Sequence, residues 1–168
     1  MLEVITYPNP LLRQISKKVE TFDENLHSLL DEMYEIMLKK NGVGISAIQV
    51  AKPIRALLIC IPDEDGNQHK EDLLEIINPE IIEKDGEILF NEGCLSVPEF
   101  YEEIKRAKSI KIAYQNRYGE KQEILAQDYL AVAFQHEIDH LNGILFIDKL
   151  SIIKRKKFEK GLKQKHKF

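Results

Sequence analysis

The sequence predicts an α+β fold: mostly antiparallel strands packed around a central histidine-bearing helix, with further helices towards both ends. Two apolar stripes recur at three- and four-residue spacing, one over residues 26–37 and one over 129–141. Between them lie short apolar runs bounded by charged or glycine-bearing segments, the pattern of strands. Residues 109–125 read as a hairpin, and hairpin-linked strands are antiparallel.

Each element has a local reason. Pro8 and Pro10 bracket Asn9, so the opening segment is extended chain and turn. Thr21 and Glu24 have the spacing of a capping box, and Leu26, Leu29, Leu30, Met33, Ile36 and Met37 then form one stripe that ends near Asn41 and Gly42. Residues 53–61 read as a buried strand and 63–72, charged and carrying Gly66, as an exposed loop. Residues 76–89 hold two or three further strand candidates. IKIAYQ and QEIL flank a turn over 116–120, where Gly119 is available for a positive φ. Asp128 opens the second strong helix, with Tyr129, Val132, Ala133, Gln135, His136, His140 and Leu141 at helical spacings and Gly143 as its stop. A third helix, weakened by Gly161, is expected from Ser151. No repeat or linker interrupts the chain, and its 168 residues fit one domain over 1–168.

Composition removes several classes of function. With 43% apolar and 31% charged residues the chain is neither disordered nor collagen-like. Its longest apolar run, residues 56–61, is far short of the roughly 20 residues a membrane span needs. The first residues lack a basic segment followed by an apolar one, so no export signal is expected and the protein is expected to be cytoplasmic, with no membrane partner. Charge is split unevenly. Residues 149–168 carry nine Lys/Arg against Glu159 alone, +8, whereas the other 148 residues carry 15 basic and 27 acidic groups, −12. That segment reads as a basic C-terminal helix, either simply solvated or facing an anionic partner.

The strongest chemical signal is His136-Glu137-Ile138-Asp139-His140, an H-E-x-x-H motif inside a predicted helix. Four residues make about one turn, so both imidazoles project from one face with Cβ atoms roughly 6 Å apart and can grip one metal ion. Glu137 is displaced by about 100° around the helix, beside such an ion, where a general base for water belongs. A hydrolytic site needs one more protein ligand and an open position. Cys94, in the glycine- and proline-bearing stretch NEGCLSVP, is the natural third; Glu92 and Asp139 are further candidates, although Asp139 points away from the His136 face. Cys60, inside ALLICIP, reads as an inert buried residue, and His27, His69 and His166 as structural or solvated.

A third motif, Gly42-Val43-Gly44-Ile45-Ser46-Ala47-Ile48-Gln49, follows the first helix. It fails as a phosphate loop, having no G-K-[ST]. Its glycines allow close backbone approach, and Gln49 offers a neutral amide that can stabilise an oxyanion.

In this order and separation, GVGISAIQ, EGCLS and QHEIDH resemble the three motifs of peptide deformylases. The resemblance runs from TYPNPLLR to GILFIDKLS and so covers essentially the whole chain. It implies a metal-dependent hydrolase that removes the formyl group from the N-terminal formylmethionine of nascent polypeptides. It implies Cys94, His136 and His140 as ligands of one divalent ion and Glu137 as acid and base. Gln49 and the Leu95 N–H would meet the formyl oxygen. Gly44 and its neighbours Val43 and Ile45 would lie along the substrate backbone, and Val43, Tyr129, Val132 and Ala133 would line the pocket for the methionine. By donor type the site suits Zn(II), Fe(II), Co(II) or Ni(II), and the resemblance favours Fe(II). It also extends to a C-terminal helix that can dock on the ribosome. Ile45-Ser46-Ala47 stands where the motif usually reads Leu-Ala-Ala, and Tyr101 stands at a position that is arginine in some relatives. Two other readings, a thermolysin-like zinc endopeptidase and a non-catalytic RNA-binding protein, fit the intact metal, base and oxyanion residues less well.

Overall fold

The computed structural model describes residues 1–165. Three helices are present among them: α1 (Glu24–Lys39), α2 (Asp128–Leu141) and α3 (Ile152–Lys165). The strands are β1 (Gly44–Ser46), β2 (Ala56–Ile59), β3 (Leu74–Asp85), β4 (Ile88–Cys94), β5 (Val97–Arg106), β6 (Ser109–Gln115) and β7 (Lys121–Gln127). Five of them form an antiparallel sheet in the order β1-β2-β3-β6-β7, and β4 and β5 pair antiparallel as a separate two-stranded sheet.

The first helix follows its predicted stripe, burying Leu26, Leu30, Met33 and Met37 against β1 and β2. Its cap differs from expectation. Asp23, not Thr21, receives the Leu26 N–H at 3.1 Å, because helical geometry begins only at Glu24. The region 76–89 becomes one long strand, β3, followed by a turn at Gly86 and then β4. The hairpin of β6 and β7 turns at Gly119, φ 79°. Strand β5 was not foreseen. Short 3₁₀ turns at Pro10–Arg13, Ala47–Val50, Lys70–Asp72 and Phe146–Lys149 were likewise not foreseen.

Helix α2 lies between the two sheets. Ala131, Phe134, Ile138 and Leu141 share one face and pack against Leu57, Ile59, Ile76 and Ile112 of the large sheet. Tyr129, Val132, Ala133, His136 and His140 fall on another face, towards the β4–β5 pair. Gln135 pins the helix between them: its amide accepts from the Ala107 N–H at 3.0 Å and donates to the Ala107 and Ala131 carbonyls. The helix stops at Gly143, φ 73°, a backbone state that a Cβ disfavours.

The basic segment is helical only from Ile152, since Lys149 ends a 3₁₀ turn. Phe158 seats α3 on Tyr7 and Phe100, with ring centroids 5.6 and 4.6 Å apart. Lys154 reaches Glu102 at 3.1 Å. Ile152 and Ile153 remain 75% and 82% exposed. His166, read as structural or solvated, and Lys167, counted in the basic tail, lie outside the described residues. No described helix is long and apolar enough to cross a membrane.

Candidate metal centre

Three separate pieces of chain meet at one cleft of about 670 Å³. The N-terminal segment holds two of them side by side, for the Ile5 N–H donates to the Gln49 carbonyl and the Tyr7 N–H to the Ser96 carbonyl, both at 2.8 Å. Helix α2 supplies the third.

Cys94, His136 and His140 come together as the sequence predicts. Each offers one donor atom, and these atoms lie within 4.8 Å of one another; no other such cluster occurs among the described residues. Cys94 Sγ stands 3.3 Å from His140 Nε2, which stands 3.2 Å from His136 Nε2. His136 Nδ1 donates to Glu92 Oε1 at 2.8 Å, so the Nε2 lone pair turns towards the cluster. Two N–H groups point at the sulfur, Ser96 N at 3.4 Å and Gln49 Nε2 at 3.6 Å. A thiolate and two converging imidazoles form a donor set that fits a divalent transition metal.

Of the candidate third ligands, only Cys94 lies with the two histidines. Glu92 is not in the cluster. Its two oxygens accept from Arg106 Nε and Nη2 at 2.7 and 2.8 Å as well as from His136. Burial works to raise its pKa, but Arg106 and His136 outweigh burial and hold it at about 2. Asp139, facing away as predicted, accepts from Arg106 Nη1 at 2.6 Å. The chain Asp139–Arg106–Glu92–His136 therefore orients the His136 ring from behind. Arg106 was missed, because an arginine in a charged run reads as a surface residue.

Glu137 is buried beside the cluster, its Oε2 4.0 Å from His136 Nε2 and its Oε1 without a hydrogen-bond partner. Burial is the main cause that pushes its pKa up to about 7; Glu92 adds to the rise while His136 opposes it. Burial also opposes a charge on His136, but Cys94, Glu92 and Glu137 outweigh it and raise that imidazole, while burial and then His136 push His140 down. Gly44 lets β1 pass against Glu137, for a Cβ there would meet Oε2 at 2.7 Å.

Val43, Gly44, Gln49, Leu95, Tyr129, Val132 and Ala133 all line the cleft. Ile45 does not. Its side chain is fully buried in the core beside α1. The Cys60 N–H bonds the Val43 carbonyl at 2.8 Å, and because such bonds alternate along an antiparallel pair, Ile45 turns its polar groups to Leu58. Gly44 turns its own away from β2 to the free edge, and Ser46 turns its N–H to Gln49 Oε1. Phe90, another residue the sequence reading missed, stacks on Tyr129 with ring centroids 4.9 Å apart and walls the apolar side of the cleft. Its signal was the alternation of Phe90, Glu92 and Cys94 along one strand.

A family model described as polypeptide deformylase matches residues 1–156. A peptide deformylase of Wolinella succinogenes is 67% identical over 165 residues, covering 98% of this chain and 97% of that protein. One of Helicobacter pylori is 59% identical over 172 residues, covering 99% of each. The crystal structure of a peptide deformylase from Legionella pneumophila matches with a TM-score of 0.87 at 38% identity, covering 100% of this chain and 99% of that one. A match of this extent in both sequence and fold, joined to the converging cysteine and histidines, has one meaning: the chain belongs to the polypeptide deformylase family.

Proposed function

We propose that this cleft removes the formyl group from N-formylmethionine at the start of nascent polypeptides, with Cys94, His136 and His140 holding one divalent ion. The observation that carries this is the convergence of those three donors beside a buried carboxylate, Glu137, whose Oε1 has no hydrogen-bond partner. Fe(II) is the favoured ion, and Zn(II), Ni(II) and Co(II) suit the same donors. When bound, the ion supplies Lewis acidity that polarises the formyl carbonyl and makes water a nucleophile near neutral pH.

The protein's own groups do the rest. Glu137, with a pKa near 7, takes a proton from the attacking water and returns it to the leaving amine. Gln49 Nε2 and the Leu95 N–H meet the oxygen as negative charge develops on it. Gly44, on the free edge of β1, pairs with the substrate backbone as an added strand would. Val43, Tyr129, Val132 and Ala133, with Phe90, receive the methionine side chain.

We also infer that residues 1–168 act as one catalytic domain in the cytoplasm and that the basic helix α3 meets the ribosome, a reading supported by its charge and by exposed Ile152 and Ile153. The test of activity is formate release from a formyl-Met dipeptide, set against cleavage of an internal peptide bond. Formate without internal cleavage is the expected result; internal cleavage without formate would replace this reading with an endopeptidase.

A further inference from the structure

Ser46 is sealed from solvent at the end of β1, and both of its hydrogen-bond donors converge on one atom. Its backbone N–H lies 2.9 Å and its hydroxyl 3.1 Å from Gln49 Oε1. An amide oxygen has two lone pairs, so these two bonds fill it. At the other end Gln49 Nε2 donates to Ser96 Oγ at 3.1 Å and stands 3.6 Å from Cys94 Sγ. An amide turned end for end would set its NH₂ group against the Ser46 backbone N–H, a buried donor that the site cannot satisfy otherwise.

We propose that the Ser46 hydroxyl is a positioning group for Gln49, holding its amide with Nε2 on the cleft side, where the N–H now 3.6 Å from Cys94 Sγ turns to the reacting carbonyl oxygen, and strengthening that donor. The proposal rests on the reading of Gln49 as a donor to the formyl oxygen. The backbone N–H of Ser46 already selects which end of the amide faces the cleft. The hydroxyl adds a second bond that narrows the swing of the amide and draws electron density onto Oε1. Linked hydrogen bonds in a dry site strengthen one another by roughly 10–30%. The added strength matters most when the substrate oxygen carries developing charge, so the hydroxyl acts on kcat rather than KM. An alanine at this position would keep the backbone bond, fill nearly the same space and lose only the hydroxyl.

The test is a double-mutant cycle on the metal-loaded full chain with a formyl-Met tripeptide, using Ser46→Ala, Gln49→Ala and both together. Ser46→Ala is expected to lower kcat roughly three- to ten-fold, the worth of one hydrogen bond, with metal content unchanged and KM within about two-fold. In the Gln49→Ala background the same substitution should change kcat by less than about two-fold. Equal losses in the two backgrounds, no loss of kcat, or a change confined to KM would overturn the proposal. A readout independent of turnover is the side-chain amide resonance of Gln49 by NMR, which should move and broaden in Ser46→Ala; an unmoved resonance would also overturn it. Full kcat in Gln49→Ala would instead defeat the reading of Gln49 itself, a result distinct from a failure at Ser46 alone.

Discussion

A β-carbon on residue 44 would stand 2.7 Å from Glu137 Oε2, which makes Gly44 and Glu137 a matched pair across two elements. Strand β1 can approach helix α2 this closely only without a side chain at that point. Gly44→Ala should push the carboxylate or the strand aside. Because misplacement by about 1 Å can cost roughly 10²-fold, kcat should fall at least about ten-fold while the metal content stays near one per chain. Steady-state kinetics paired with elemental analysis checks both parts.

Glu92→Gln should act on the metal without removing a ligand. Groups that orient a ligating histidine typically account for about 10- to 100-fold in metal affinity. The substitution also leaves Arg106 buried with Asp139 as its remaining carboxylate, and breaking such a buried pair costs about 3 kcal/mol. Chelator competition should show the first effect and a drop in urea midpoint the second. Wild-type metal affinity in this variant would mean that Glu92 does not act through His136.

The two cysteines should behave oppositely. Cys94→Ala is expected to strip most of the metal and the activity, whereas Cys60→Ala, deep among apolar residues, should keep both nearly intact. Equal losses would overturn the ligand assignment. Glu137→Gln, in contrast, should retain the metal and lose roughly 10²-fold or more in kcat, the size of general acid–base catalysis.

For helix α3, replacing the exposed Lys156, Lys157 and Lys160 with Gln keeps Phe158 in its seat while removing three positive charges. Co-sedimentation with ribosomes should weaken, and more steeply at low salt than at high salt, because fewer counterions are released on binding. Turnover of a short formyl-Met peptide should not change. Undiminished co-sedimentation would leave the basic face without this role.

What could be read in the sequence divides along physical lines. Helices α1 and α2 were legible because one face of each is buried, which writes a 3.6-residue period into the chain. The convergence of Cys94, His136 and His140 was legible because the two histidines share a helix face and Cys94 sits in a motif of its own. Strand β5 was not, because although Phe100, Glu102, Ile104 and Arg106 alternate inward with exposed Tyr101, Glu103 and Lys105, two of the four inward residues are charged and no apolar alternation is written in the sequence. The helix cap was ambiguous for a different reason: Thr21 and Asp23 are both good caps, and only the backbone decides between them. Arg106 and Ile45 show the limit of local reading. The partners of Arg106 come from β4 and α2, and Ile45 lies inside a motif whose neighbours face the cleft while it faces the core.

The separation of the two sheets would give a metal held between them a mechanical duty. Cys94 rides on the β4–β5 pair and the histidines on a helix packed against the larger sheet, so an ion held by all three would be a clasp between two separate ladders, beside the Glu92–His136 and Arg106–Asp139 bonds. Withdrawing it removes that clasp yet leaves every ladder intact. Amide hydrogen exchange after chelation should therefore quicken in residues 88–106 well before it quickens in β2, β3 and β6, and the protein should open at this seam first.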